Sequence, residues 1–171
     1  MSVTAFLARW RVTMGFVCGA VVLGLATPTV VSLALGAVVA LVGEAVRLWA
    51  AGHLEKSREV TSSGPYRFTR HPLYVGTSII AVGVVVAANH PVAAILVGLY
   101  LGLTISAAVR AEEAHLREKF GGAYDAYAER RGPRVERPWS WARARFNREH
   151  HTMAGVAGAL ALLALKMAVG A

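Results

Sequence analysis

The chain has 171 residues, 56% hydrophobic and 16% charged, with 18 Lys and Arg against 10 Asp and Glu, for a net charge of +8. Soluble domains run at roughly 45–50% apolar and about 25% charged, so this balance excludes a disordered chain and speaks against an ordinary soluble domain. A single cysteine, Cys18, excludes an internal disulfide framework.

Taken in chain order, the apolar residues fall into five blocks that predict helices over about 12–26, 30–49, 73–89, 92–120 and 153–169. Each block approaches the ~20 residues that cross a hydrocarbon layer ~30 Å thick. Five such runs leave too little polar surface to cover them as a soluble core. The predicted fold is all-α: a polytopic integral membrane protein, one domain over 1–171, with about five transmembrane helices and a cytoplasmic interfacial helix.

Arg9 and Arg11, the apolar stretch after them and Gly24-Leu25-Ala26 resemble a signal peptide. A hairpin partner follows at once, which favours a retained first helix. Thr27-Pro28-Thr29 separates the first pair of blocks and His90-Pro91 the second, and proline in so short a break ends or restarts a helix. Each pair is expected to form an antiparallel hairpin. Gly15 and Gly19, or Gly155 and Ala159, offer small-residue faces for close helix approach. Cys18 falls mid-helix and is expected to pack.

The charges are one-sided. Seventeen of the 18 cations lie before the first helix, in or next to the second connection, or between Arg110 and Arg148, and all 10 acidic residues lie on that side too. The tight turns carry none. The positive-inside rule then places this face and the N-terminus in the cytoplasm, and the C-terminus on the opposite side. Lys166, near the end of the last block, is expected to snorkel outward. The basic excess, which would otherwise suggest nucleic acid, becomes a topology signal suited to membrane lipid headgroups. No nucleic-acid partner is expected.

Polar residues gather at the cytoplasmic ends. Gly64-Pro65 marks a turn, and Pro72 suits the first turn of the third helix. That places Arg70 and His71 at a helix N-terminus, where free N–H groups and the dipole favour an anion. Counting equal rise from His90-Pro91 matches His71 in depth with Arg110, and Thr69 with Glu112. Glu112 and Glu113 thus fall within about a turn of Arg70 and His71. A cationic edge and a carboxylate pair facing one pocket would suit a zwitterion or a nucleoside. The same charges also describe a solvated helix rim.

Leu116, Phe120, Tyr124 and Tyr127 share one helical face, either as a surface amphipathic helix or as a lid, with Gly121-Gly122 weakening it midway. Trp139, Trp141 and Phe146, among Arg143, Arg145 and Arg148, look like an interfacial aromatic belt. His150-His151 lacks further ligands, so no metal site is expected.

Gly64-Pro65-Tyr66-Arg67, then Arg70-His71-Pro72-Leu73-Tyr74-Val75-Gly76, then Glu112-Glu113 with Phe120-Gly121 and Tyr124 behind, resembles the isoprenylcysteine carboxyl methyltransferase family, itself related to the phospholipid N-methyltransferases. The resemblance covers roughly 47–138. It implies an integral-membrane methyltransferase that uses S-adenosylmethionine at the cytoplasmic face. It places the cofactor on Val60, Thr61, Tyr66, His71, Pro72, Leu73, Tyr74 and Glu112, with Glu113 beside them. Arg70 and Arg110 become candidates for holding an anionic group of the acceptor. No catalytic base is named, because displacement at a sulfonium needs chiefly positioning and exclusion of water. Carboxyl-methylating members carry an Arg four residues before the first Glu, where this chain has Ala108. A carboxylate, a lipid amine and other lipid-like or amphipathic acceptors all stay open. The competing readings are an NADPH-dependent membrane reductase related to sterol reductases, and a non-catalytic membrane scaffold or transporter.

Overall fold

The computed structural model describes residues 3–56, 58–133 and 135–170, without the side chains of residues 3–12, so those of Arg9 and Arg11 lie outside the described residues. Among the described residues all regular structure is helical: α1 (Val3–Leu25), α2 (Val30–His53), a 3₁₀ turn (Gly64–Arg67), α3 (Pro72–Ala88), α4 (Pro91–Phe120), α5 (Gly122–Ala128), α6 (Trp141–Phe146) and α7 (Glu149–Gly170).

Local chemistry sets the boundaries. The Thr29 hydroxyl accepts the Ser32 N–H, while the Ser32 hydroxyl accepts the Thr29 N–H, a reciprocal cap that starts α2. α3 and α4 each open on a proline, whose missing N–H costs nothing in a first turn. α4 stops at Gly121, whose φ of +53° suits a residue without a Cβ. The expected continuous amphipathic helix is therefore two pieces, α4 and α5, and α5 turns back toward the loop after α2.

The most extensive packing joins α2 to α3, while α1 packs on α4. The two pairs expected as hairpins, α1 with α2 and α3 with α4, are not the most closely packed, because the backbone-to-backbone faces belong to Gly36, Ala40 and Gly43 on α2 and Gly76, Gly83 and Ala87 on α3. A Cβ on Gly83 would sit 2.6 Å from the Gly36 carbonyl oxygen and 2.8 Å from the Ala40 Cα. Of the small residues singled out from sequence, Gly19 and Gly155 face open space, and Gly15 meets the Tyr100 side chain. Gly83→Ala is accordingly expected to destabilise by roughly 1–3 kcal/mol, the cost of overpacking, and Gly102→Ala, with open space around it, far less. Thermal midpoints in detergent check the contrast.

Both tight turns meet at one end of the bundle. Thr27 N–H donates to the Ala88 carbonyl at 2.9 Å, the Thr27 hydroxyl to the Asn89 carbonyl at 2.9 Å, and the Asn89 amide back to the Thr27 carbonyl at 3.1 Å. Val22, Ala26, Ala87, Ala88, Ala93 and Leu163 form the buried core there, with Cys18 packed against it. Lys166 does not reach away from the protein. Its ammonium donates to the Leu23 and Gly24 carbonyls, 2.7 Å each, on the last turn of α1, where the dipole is negative.

α2, α4 and α7 are long and apolar enough to cross a membrane; the apolar part of α1 (Thr13–Leu25) and the whole of α3 are shorter. The outward faces are apolar: Leu35, Leu41, Leu99 and Leu103 are all exposed. A helical bundle with hydrocarbon outside and its backbone bonds satisfied within is what a lipid environment demands. The charged last third of α4, the connection after α2 and the segment before α7 gather at the end opposite the tight turns.

Candidate functional site

At that polar end, the site is built on the terminus of α2. The last turn of a helix leaves carbonyls without partners, and here residues 139–147 supply donors to them. Trp139 Nε1–H donates to Leu48 O at 3.1 Å, Ser140 N–H to Gly52 O at 3.1 Å, Arg143 Nε–H to Gly52 O at 2.8 Å, and Asn147 Nδ2 to Ala51 O and Leu54 O at 2.9 and 3.0 Å. Trp139 and Arg143 are thus not part of an outward belt. Trp141 and Phe146 are exposed, as such a belt requires.

The connection leaving α2 is held from both sides. Arg137 pairs with Glu55 at 2.7 Å and Glu59 at 2.8 Å, and the Thr61 hydroxyl accepts the Glu55 N–H at 3.1 Å. Gly64 has a φ of +57°, and a Cβ there would strike the His53 imidazole, which is itself 3.2 Å from the Ser63 hydroxyl. Tyr66, in the 3₁₀ turn, is buried, and its carbonyl accepts the Tyr127 hydroxyl of α5 at 2.9 Å. α5 therefore closes over the connection.

Below this lies a polar knot between helices. Arg47 of α2 donates to both Glu149 oxygens of α7 at 2.7 and 3.1 Å, to the Thr77 hydroxyl at 2.6 Å, to the Leu73 carbonyl at 3.3 Å and to the Thr152 hydroxyl at 3.1 Å.

These parts enclose a cavity of about 500 Å³, lined among others by Val60, Thr61, Tyr66, Arg70, His71, Pro72, Leu73, Tyr74, Glu112, Leu116, Tyr124 and Tyr127. Its volume falls in the range of roughly 300–1,000 Å³ usual for small-molecule sites. Two of the residues singled out from sequence are not in its lining: Arg110, exposed on α4, and Glu113. Glu113 instead ties the site together. One oxygen lies 3.0 Å from His71 Nε2 and 3.0 Å from Arg70, the other 3.5 Å from Arg117, which lies over the Tyr124 ring. Equal rise from the turn matches His71 with Arg110, and the contact falls at Glu113, three residues further along α4.

Sequence reasoning passed over Arg47, Leu54, Glu55, Lys56, Glu59 and His115, which also line the cavity. For Arg47 a signal existed: an ionisable residue beside an apolar span marks a functional or pairing position by default.

With its Nε2 facing the Glu113 carboxylate, a neutral His71 ring presents Nδ1 as an acceptor. That atom is buried and has no hydrogen-bond partner, so a donor on a bound molecule would satisfy it. The Glu112 carboxylate lines the cavity and is exposed to it. Burial, with the Glu112 carboxylate adding to it, pushes the Tyr66 hydroxyl well above the ordinary tyrosine range, and burial pushes Tyr127 up to about 12. The Tyr127 phenol thus keeps the proton that it donates to the Tyr66 carbonyl at physiological pH.

Fold and site together define an all-helical membrane protein with a partly polar cavity where its helices leave the apolar layer. The profile of the family described as phospholipid methyltransferase matches residues 18–123, and the chain belongs to that family. It is similar to a probable protein-S-isoprenylcysteine O-methyltransferase of Oryza sativa subsp. indica, 33% identical over 108 residues, 56% of each chain. It is also similar to the nickel-cobalt-cadmium resistance protein NccN of Alcaligenes xylosoxydans xylosoxydans, 34% identical over 131 residues, 71% of this chain and 60% of that one. The protein-S-isoprenylcysteine O-methyltransferase of Schizosaccharomyces pombe is 34% identical over 77 residues, 45% of this chain and 33% of that one. The chain thus spans about half the length of the rice relative. No solved structure matches it.

Proposed function

We propose that the protein is an integral-membrane methyltransferase that takes S-adenosylmethionine in the cavity at its polar end and acts on a lipid-like or amphipathic acceptor, at a carboxylate or an amine. In this reading all five long helices cross the bilayer, the polar end and the N-terminus are cytoplasmic, and the C-terminus is on the other side. The observation that carries it is the cavity, in which the Glu112 carboxylate, one unpartnered imidazole nitrogen and apolar walls converge, while Glu55 and Glu59 at its border are held by Arg137.

The residues fit the cofactor chemically. The Glu112 carboxylate accepts ribose hydroxyls, His71 Nδ1 accepts from an ammonium, and Arg70, beside the start of α3, offers positive charge to a carboxylate. Pro72, Leu73, Leu116 and the rings of Tyr66, Tyr74 and Tyr124 provide apolar walls that exclude water. When bound, S-adenosylmethionine supplies a methyl group activated by its sulfonium. Held there, it would give up that methyl to a carboxylate oxygen or a neutral amine nitrogen and leave as the neutral thioether, with any proton from the methylated amine passing to solvent. The protein's part is to hold the two reactants in line, so no side chain is assigned as base.

Calorimetric titration of the detergent-solubilised protein with S-adenosylhomocysteine and, separately, NADPH tests this. Saturable binding of the first and none of the second is expected. Glu112→Ala is expected to weaken binding by about 10- to 100-fold, the loss of a charged acceptor to two hydroxyls. Absence of S-adenosylhomocysteine binding by folded protein refutes the cofactor, and binding indifferent to Glu112→Ala refutes the site.

A further inference from the structure

A second cavity, of about 380 Å³, lies on the other side of the Tyr66–Tyr127 contact. Its lining carries the guanidinium residues Arg67, Arg70 and Arg130, the hydroxyl residues Ser62 and Thr69, and no carboxylate. Tyr66, Arg70 and Tyr127 line both cavities and form the wall between them.

The cations are not equally engaged. Arg67 is paired with Glu136 at 2.8 Å and Arg70 with Glu113 at 3.0 Å. Arg130 has no carboxylate partner among the described residues, although its neighbour Arg131 is paired with Glu129. It also stands at a φ of +59°, just after the Glu129 cap of α5, a conformation that non-glycine residues seldom adopt, and it lines the cavity. An open cleft lined by three guanidinium residues and the hydroxyl residues Ser62 and Thr69, with one of its cations free of any carboxylate, is matched to an anion that accepts several hydrogen bonds at once.

From this we infer an anion site for a phosphate group, separate from the methyl-donor cavity. Phosphate offers acceptor oxygens that guanidinium forks bind in pairs, and the hydroxyls of Ser62 and Thr69 add donors. The surroundings allow two sources. Exposed Phe68 also lines the cavity and lies 6.3 Å from the ring of Trp49, near the polar end of membrane-crossing α2, so a lipid headgroup could enter with its glycerol beside the aromatic pair. The loop side admits free phosphate. The chemistry recognised is the same.

The test uses the full chain in a neutral detergent. It is titrated calorimetrically with sodium phosphate and, separately, with micelles of that detergent doped with a short-chain phosphatidic acid, chloride replacing phosphate at equal ionic strength in the control. Saturable binding of at least one probe is expected, and Arg130→Gln is expected to weaken it about tenfold, the worth of one charge-assisted hydrogen bond. Arg130→Lys, which keeps the charge, is expected to recover part of the loss. Binding of the doped micelle alone assigns the site to a lipid headgroup, and binding of both probes assigns it to phosphate as such. An unchanged thermal midpoint shows each variant folded. No saturation beyond chloride, or equal affinity in folded Arg130→Gln, overturns the inference. Neither readout uses S-adenosylhomocysteine, so failure here is distinct from failure of the methyltransferase reading.

Discussion

Glu149→Ala is expected to destabilise the protein by about 3–5 kcal/mol, the cost of leaving one partner of a buried ion pair uncompensated. The Glu149 side chain is only 3% exposed and that of Arg47 17%. Arg47 uses its guanidinium to hold three helices at one point: Glu149 and Thr152 of α7, Thr77 and the Leu73 carbonyl of α3, and its own α2. Removing the carboxylate leaves the cation with only neutral hydroxyl and carbonyl acceptors, since the neighbouring buried Glu44 carboxylate makes no hydrogen bond to it. The double variant Arg47→Met, Glu149→Leu is expected to recover much of the loss, because a well-packed apolar pair needs no desolvation of charge. Arg47 also lines the larger cavity, so the double variant is expected to bind S-adenosylhomocysteine less well than wild type even where its stability returns. Reversible unfolding in mixed detergent and SDS reads the first effect, and titration the second. A Glu149→Ala midpoint equal to wild type would show that the pair is not holding the helices.

The apolar runs made the long helices legible, since a stretch such as 92–109 without charge has few other uses. Their polar ends were not legible. α2 runs on to His53, and α7 begins at Glu149 rather than Met153, because Glu149 finds its partner in Arg47 and residues 139–147 cap the carbonyls of α2. Both supports come from distant parts of the chain, where periodicity gives no signal. Helix partnering was hidden for a related reason. Glycine-rich faces occur on several helices, and only the fold decides that Gly36, Gly43, Gly76 and Gly83 meet while Gly19 and Gly155 do not. The site was more readable: proline at the start of α3 and the charge cluster on α4 brought His71 and the two glutamates to one depth. What the count could not separate was their duties. Glu112 lines the cavity, and Glu113 is occupied by His71, Arg70 and Arg117. Adjacent residues on a helix point about 100° apart, which is how Glu112 and Glu113 come to have different surroundings.

Gly52→Ala is expected to undo the polar end without touching a residue that lines the larger cavity. A Cβ at Gly52 would overlap the Trp139 indole ring, which is fixed by its N–H bond to Leu48 O and by an edge-on contact with Trp141 at 4.6 Å. The ring cannot yield without releasing Ser140 N–H and Arg143 from the Gly52 carbonyl. Those bonds seat residues 139–147 on α2, and Arg137, just before them, holds Glu55 and Glu59, which border the cavity. The expected result is a loss of about 2–4 kcal/mol, from one overpacked contact together with two or more capping bonds. S-adenosylhomocysteine affinity is expected to fall at least about tenfold as the 55–61 connection loosens, since each 1.4 kcal/mol of lost preorganisation is a factor of ten. Limited proteolysis is expected to cut more readily near residues 137–147. Gly19→Ala, on a helix face with nothing nearby, serves as the matched control and is expected to change none of the three. Should Gly52→Ala bind S-adenosylhomocysteine like wild type while its midpoint falls, the segment stabilises the helix end but does not shape the cavity, and the coupling through Arg137 is wrong.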